Sequence, residues 1–154
     1  MTIKTILVPL DGSKVSRKAL EAGALMAKEC RAHLDVVHVR TNPKDAVPLL
    51  GEGMSGAVIE DIITAAEKES TERSARAKEI FEDVCPASGF PRVDNPSQCD
   101  GASVSWIEET GREDEVVAMR GRLADIIIVN RPTDDTAVSA TMTLNAALVE
   151  TGRG

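Results

Sequence analysis

With 154 residues, 42% hydrophobic and 28% charged, the chain can bury one ordinary core but not two, so residues 1–154 are read as a single domain. A formal charge of −7, no basic patch, and Phe81, Phe90 and Trp106 as the only aromatics exclude nucleic-acid binding by phosphate neutralisation or base stacking. No apolar run reaches the roughly 18–20 residues of a membrane span and no signal-peptide pattern opens the chain, so a cytoplasmic protein without membrane contact is expected, its Cys30, Cys85 and Cys99 kept as thiols.

Residues 4–13, KTILVPLDGS, carry the first signal. An apolar strand over 6–10 runs into an acid, a glycine and a helix-capping serine, the opening of an α/β sheet whose ligands sit where strand becomes helix. Residues 14–31 follow, with Val15, Ala19, Ala22 and Met26 on one side and Leu20, Ala24 and Ala27 beside them. That is a helical stripe of small residues suited to close packing on a sheet, with Cys30 as a small core residue. LDVVHV at 34–39 is a second strand, ended by Arg40 and the Asn42-Pro43 turn signal.

Residues 41–56 form a connection holding Pro43, Pro48, Gly51, Gly53 and Gly56. From Ser55 onward Val58, Ile59, Ile62, Ile63, Ala66, Ile80, Phe81 and Val84 keep helical spacing, which predicts a surface helix of roughly eight turns. On its other face Glu69 and Arg73, Glu72 and Arg76, and Lys68 and Glu72 stand four apart, charges that solvate the helix. Residues 86–101, with three prolines and two glycines, predict an irregular segment.

Residues 102–108 alternate Val104 and Trp106 against Ser103 and Ser105, the period of a half-buried strand near a sheet edge. Thr110 and Glu113 have the spacing of a capping box before a short helix through Val116, Val117, Met119 and Leu123. DIIIV at 125–129 is a buried strand, 130–136 turns, and 140–151 carries a last helical pattern. Strands alternate with helices, so the expected fold is α/β, an open parallel sheet with helices on both faces.

The order strand, DGS, helix, LDVVHV, long helix, then TGREDEVVAMRGRLADIIIVN resembles the universal stress protein family over essentially the whole chain. Residues 6–13 and 115–129 are the most specific parts. AVPLLGEGMSG at 46–56 and the late ETGR resemble the first half of the bacterial tandem type, in which two such domains share a polypeptide. The resemblance implies a Rossmann-like, adenine nucleotide alpha hydrolase-like sheet ordered 3-2-1-4-5, with a crevice where the order reverses, at the carboxyl ends of strands one and four.

In ATP-binding members the acid after strand one and a residue ending strand two contact adenine and ribose. By motif these are Asp11 and Val39, with Pro9 and Leu10 lining the base. Asp11 also reads as a cap on the first helix, and the two roles are compatible. Those members carry G-x2-G-x9-G-[ST] after strand four, whereas Asn130-Arg131-Pro132-Thr133 stands here and 140–143 has no glycine. Side chains fill the phosphate space and Pro132 removes a donor. Asn130 and Arg131 remain candidate binding positions, Arg131 by its charge, and Ser139, Thr141 and Thr143 offer hydroxyls that equally serve as caps.

Gly51, Gly53 and Gly56 spell G-x-G-x-x-G, but no strand directly precedes them, so they read as a loop and helix start. His38, inside an apolar strand, reads as a packed residue with both nitrogens satisfied. No nucleophile, base and orienting acid are visible together, and no metal spacing occurs. The resemblance further implies that a fifth strand is missing, giving the order 3-2-1-4 and leaving 125–129 as an edge. A homodimer, or contact with a second universal stress domain, is expected through that strand and the last helix. The expected function is a non-enzymatic module of a bacterial stress response acting by protein association, with no cofactor. The alternative is a sensor that binds an adenine nucleotide (AMP, ATP or a cyclic nucleotide) weakly.

Overall fold

The strand β1 (Thr5–Pro9) is buried on both faces, with Ile6, Leu7 and Val8 at most 1% exposed, which is why its sequence is a continuous apolar run and not an alternation. In the computed structural model, which describes residues 2–45, 53–133 and 138–152, β1 pairs in parallel with β2 (His33–Arg40) on one side. On its other side it pairs with β4 (Ile126–Ile127), and β3 (Ser103–Thr110) lies outside β2, giving the order β3-β2-β1-β4. Asp125 fastens the entry to β1, since its Oδ2 accepts the main-chain N–H groups of Lys4 (2.9 Å) and Thr5 (3.1 Å).

The helices α1 (Lys14–Cys30) and α2 (Gly56–Ala87) cover one face. There Ile6, Val8 and Leu10 meet Leu20 and Ala24 of α1, Phe81 and Val84 of α2, and Val36 of β2. On the opposite face Leu7, Val37 and Val39 pack with Ala124 and with Val116 of α3 (Glu113–Gly121). The helix α4 (Val138–Asn145) continues into one wide π turn, Ala146–Glu150, and packs chiefly against α3.

The small residues of α1 let it approach β1 closely. A Cβ on Gly23 would stand 2.7 Å from Val8 Cγ2 and 3.3 Å from Leu34 Cδ1. Ser55 caps α2, its Oγ accepting from the Val58 N–H at 3.5 Å. At 32 residues α2 is about 48 Å long, and its buried residues, Ala77, Phe81, Val84 and Cys85, all lie in its second half. The apolar spacing at 58–66 does form helix, but Val58 remains 42% exposed and Ile59, Ile62, Ile63 and Ala66 are half-buried. Pro86 closes the last turn of α2 and does not begin the irregular segment.

Other local expectations give way to tertiary contacts. Arg73 turns its Nε to the Asp11 carbonyl (3.5 Å) in place of Glu69, and among the described residues the pair four apart that forms on α2 is Lys78–Glu82. Thr110 ends β3 and caps nothing; Arg112 holds the position before α3 and makes no side-chain cap. In β3 Val104 and Trp106 face the core as expected, Trp106 half-buried under Lys78 Nζ, 4.7 Å from its ring, but Ser103 and Ser105 on the other side are buried as well. Pro48, Gly51 and residues 134–136 lie outside the described residues.

Replacing Gly23 by Ala sets a helix-propensity gain of about 1 kcal/mol against overpacking of about 1–3 kcal/mol on a β-branched neighbour that cannot turn aside. The overpacking prevails, so the G23A protein is expected to unfold at lower urea concentration with an unchanged slope.

Candidate functional site

The turn from β1 into α1 needs Gly12 at φ +86°, and a Cβ there would lie 2.8 Å from the main-chain oxygen of Arg73. Asp11 and Ser13 flank it and satisfy the start of α1. The Ser13 N–H donates to Asp11 Oδ1 (2.8 Å), and Ser13 Oγ accepts from the Ser16 N–H (3.1 Å). Asn130, beyond β4, reaches the same place: its carboxamide donates to the Val15 carbonyl (2.6 Å) and accepts from the Ser16 N–H (3.0 Å). Burial would raise the Asp11 carboxyl, but hydrogen bonds from Ser13 and Ser16 and the charge of Arg73 outweigh it and hold the pKa below the usual 3.8.

At the carboxyl ends of β1 and β4 the switch-point crevice is nearly shut. Pro9, Asp11, Glu113, Val129, Asn130 and Thr143 close on about 20 Å³, room for about one water. Thr143, buried on α4, donates from Oγ1 to Glu113 Oε1 at 3.1 Å. Burial, and then the charge of Asp11, push the Glu113 carboxyl above its usual 4.5 despite that bond. The structure thus gathers Pro9, Asp11 and Asn130. Leu10 and Val39, 1% and 5% exposed, pack in the cores on opposite faces of the sheet, and Arg131 is exposed. Glu113 and Thr143 were not foreseen as a pair: Glu113 has a local spacing that imitates a capping box, and its real partner lies 30 residues away.

His38 is packed as expected, but not fully satisfied. Its Nδ1 bonds the Leu10 carbonyl at 2.7 Å, so the proton sits on Nδ1, and Nε2 is buried without a partner among the described residues. Burial lowers its pKa below 6.5, overcoming the Leu10 bond and the nearby Glu108 carboxylate.

A second polar cluster joins β2 and β3. Ser105 Oγ donates to Asp35 Oδ1 (2.6 Å), His33 Nε2 faces that same oxygen at 3.1 Å, and His33 Nδ1 lies 2.7 Å from Ser103 Oγ. An ionised carboxylate only accepts, which puts the imidazole proton on Nε2 and leaves Nδ1 to accept from Ser103. Burial raises the Asp35 carboxyl, but the bonds from His33 and Ser105 and the Arg120 charge more than offset it, and the pKa falls below 3.8. This serine, imidazole and carboxylate set was not visible in the sequence. Ser103 has no exposed surface and Ser105 is 5% exposed, so the hydroxyls hold strands together and present no nucleophile.

The outer side of β4 differs from the closed crevice. A groove of about 250 Å³ runs along it, walled by Gly121 and Ala124, by Ile127 and Val129, and by Ala147 and Leu148. Leu148, Val149 and Leu123 beside it are 63%, 75% and 82% exposed. Among the described residues, no helix is long and apolar enough to cross a membrane, and no three His, Cys, Asp or Glu side chains are grouped to hold a metal ion.

The profile of the universal stress protein family matches residues 2–153. No curated protein sequence matches the chain. Among solved structures it is similar to the universal stress protein UspA from Lactobacillus plantarum, with 12% identity, 96% of this chain and 94% of that one covered, and a TM-score of 0.62. It is also similar to hypothetical protein MJ0577, with 17% identity, 94% and 90% covered, and a TM-score of 0.56. A universal stress protein solved in complex with cAMP gives 14%, 96% and 90%, and 0.50. At these identities the likeness is one of fold: a parallel sheet ordered 3-2-1-4 between helices.

The neutral, buried His38 makes stability depend on pH with a definite sign. Its folded pKa lies below the unfolded 6.5, so the unfolded chain binds the extra proton and stability is lost as pH falls from 6.5 through the folded value. In H38N the new amide can still donate to the Leu10 carbonyl but does not titrate. Urea midpoints measured from about pH 7.5 to about pH 5 are expected to fall more steeply for the parent protein than for H38N.

Proposed function

The chain belongs to the universal stress protein family, and from that premise we propose that it acts as a non-enzymatic module of a cytoplasmic stress response, through protein association. The observation that carries this reading is the crevice of about 20 Å³. An adenine nucleotide needs several hundred Å³ and donors free to meet its phosphates. Here Asp11 accepts the Ser13 N–H, Ser13 and Asn130 both accept the Ser16 N–H, and Asn130-Arg131-Pro132-Thr133 follows β4 without a glycine. Among the described residues the crevice does not fit a nucleotide in this arrangement, so no chemical step is assigned to one.

Association has a better-formed surface. The partner in this reading is a second copy, or a second domain of the same kind, seated on the outer side of β4 and the end of α4. The outer edge of β4, paired with no strand among the described residues, offers main-chain donors and acceptors, and Leu148, Val149 and Leu123 offer apolar area. A weak adenine-nucleotide sensor is the second reading. It is favoured by the fold shared with the protein solved with cAMP, and by an ionised Asp11 able to accept from a ribose hydroxyl or an amino group.

Freshly purified protein, denatured and examined by chromatography and mass spectrometry, is expected to release no nucleotide; a stoichiometric yield would overturn the first reading. No thermal shift with AMP, ATP or cAMP would sink the second. In light scattering the protein is expected to be a dimer at tens of micromolar. Leu148→Glu, a change at a 63% exposed side chain, is expected to yield a folded monomer. A parent protein that is already monomeric would remove the proposed interface.

A further inference from the structure

The chain holds two Asp-Gly steps, Asp11-Gly12 and Asp100-Gly101, and the fold treats them in opposite ways. Where glycine follows aspartate, no side chain screens the next main-chain nitrogen from the carboxyl group, and the two can close into a five-membered ring. We propose that Asp100-Gly101 is a site of spontaneous modification, at which the chain closes to a succinimide and reopens as isoaspartate, while Asp11-Gly12 is locked against the same reaction.

The reaction needs no co-reactant but water. The Gly101 nitrogen attacks Asp100 Cγ, a C–N bond forms, and one carboxyl oxygen leaves as water, carrying away the amide proton and the carboxyl proton. Water then adds to either carbonyl of the ring. Breaking the bond from the nitrogen to Cγ restores aspartate, whereas breaking the bond from the nitrogen to the main-chain carbonyl carbon of Asp100 gives isoaspartate. The backbone then runs through the side chain, one carbon longer, beside a free α-carboxylate.

The surroundings of residues 100 and 101 permit ring closure. Asp100 is exposed, and neither its carboxylate nor the Gly101 N–H has a hydrogen-bond partner among the described residues. At Gly101, with φ +119°, the place a Cβ would take has within 4 Å only Arg31 Nη2 (3.8 Å) and Nε (3.9 Å). The ring has room, and a guanidinium stands beside the amide that must give up its proton. The chain is tied before this step, where the Ser97 N–H donates to Asn95 Oδ1 (3.0 Å), and after it, where the Ser103 N–H donates to the Ala32 carbonyl (3.4 Å).

Asp11 differs on each count. Its Oδ1 accepts the Ser13 N–H at 2.8 Å, which engages the carboxylate with the amide one residue beyond the one that would attack. A Cβ on Gly12 would lie 2.8 Å from the Arg73 main-chain oxygen, so α2 bars the turn from rotating into a ring. Closure there would also sacrifice a bond that starts α1.

The product at Asp100 has a place to act. Ser103 opens β3 just beyond it, with its Oγ 2.7 Å from His33 Nδ1, so an inserted carbon and a displaced carboxylate bear on the entry to that strand. The step lies outside both the crevice and the β4 groove, and it stands apart from the association and nucleotide readings.

Folded protein, and protein unfolded in guanidinium chloride, would be held for weeks at neutral pH and digested with trypsin. Residues 5–14 and 93–112 are then separate peptides with one Asp-Gly step each, and fragmentation mass spectrometry locates isoaspartate in them. In the unfolded chain both peptides are expected to gain it at comparable rates. In the folded protein 93–112 is expected to gain it several-fold faster than 5–14. Asp100→Glu, which could close only a larger ring, is expected to abolish the gain in 93–112. It should equally abolish methyl transfer from S-adenosylmethionine by an added isoaspartyl methyltransferase. Comparable gain in both peptides of the folded protein, no gain in its 93–112, or a gain that survives Asp100→Glu overturns the proposal.

Discussion

The amides that open α1 must find acceptors, and the rest of the site follows from how that demand is met. A helix start at the end of a central parallel strand is an anion-binding place because its N–H groups point outward with nothing of their own to meet. Here Asp11 meets the Ser13 N–H, and Ser13 and, from across the sheet, Asn130 both meet the Ser16 N–H. The segment after β4 is thereby drawn against α1, α4 settles over it, and the space between shrinks to about 20 Å³. Part of what a ligand would contribute in an open crevice is made internally.

The architecture was legible because its signals are local and repeated. A two-sided apolar strand at 6–10, small residues on α1 and the apolar run at 125–129 each have one reading, and their alternation with helices leaves few topologies, although of the expected buried strand at 125–129 Ile126–Ile127 pair as strand and are half-buried. The length of α2 was also legible, but not which half of it is buried. Periodicity reports a face and says nothing of whether another element lies opposite, and the sheet ends before the stripe at 58–66 does.

The site was legible on one side only. Asp11 belongs to a contiguous motif, so its position at the crevice could be read directly. Asn130 could be read as filling phosphate space but not as reaching the start of α1, more than 110 positions earlier in the chain. Glu113 was misassigned to Thr110 because sequence spacing sees neighbours three residues apart, whereas the structure places Thr110 in β3 and gives Glu113 to α4. The serines of β3 were read as the wet side of a half-buried strand, and the partners that make them buriable, His33 and Asp35, lie on another strand.

Those serines bear on how the chain avoids folding wrongly. A one-residue slip between two strands moves every side chain of one of them to the other face of the sheet, so the register has to be specified. Between β2 and β3 the sliding is policed: His33 stands opposite Ser103 and Asp35 opposite Ser105, and in that alignment each polar group meets its complement. Shifted by one residue, His33 would face Val104 and Asp35 would face Trp106, stranding a carboxylate and an imidazole against apolar side chains. The cluster therefore ties the register of β2 and β3 to a set of hydrogen bonds that a slipped pairing would lose.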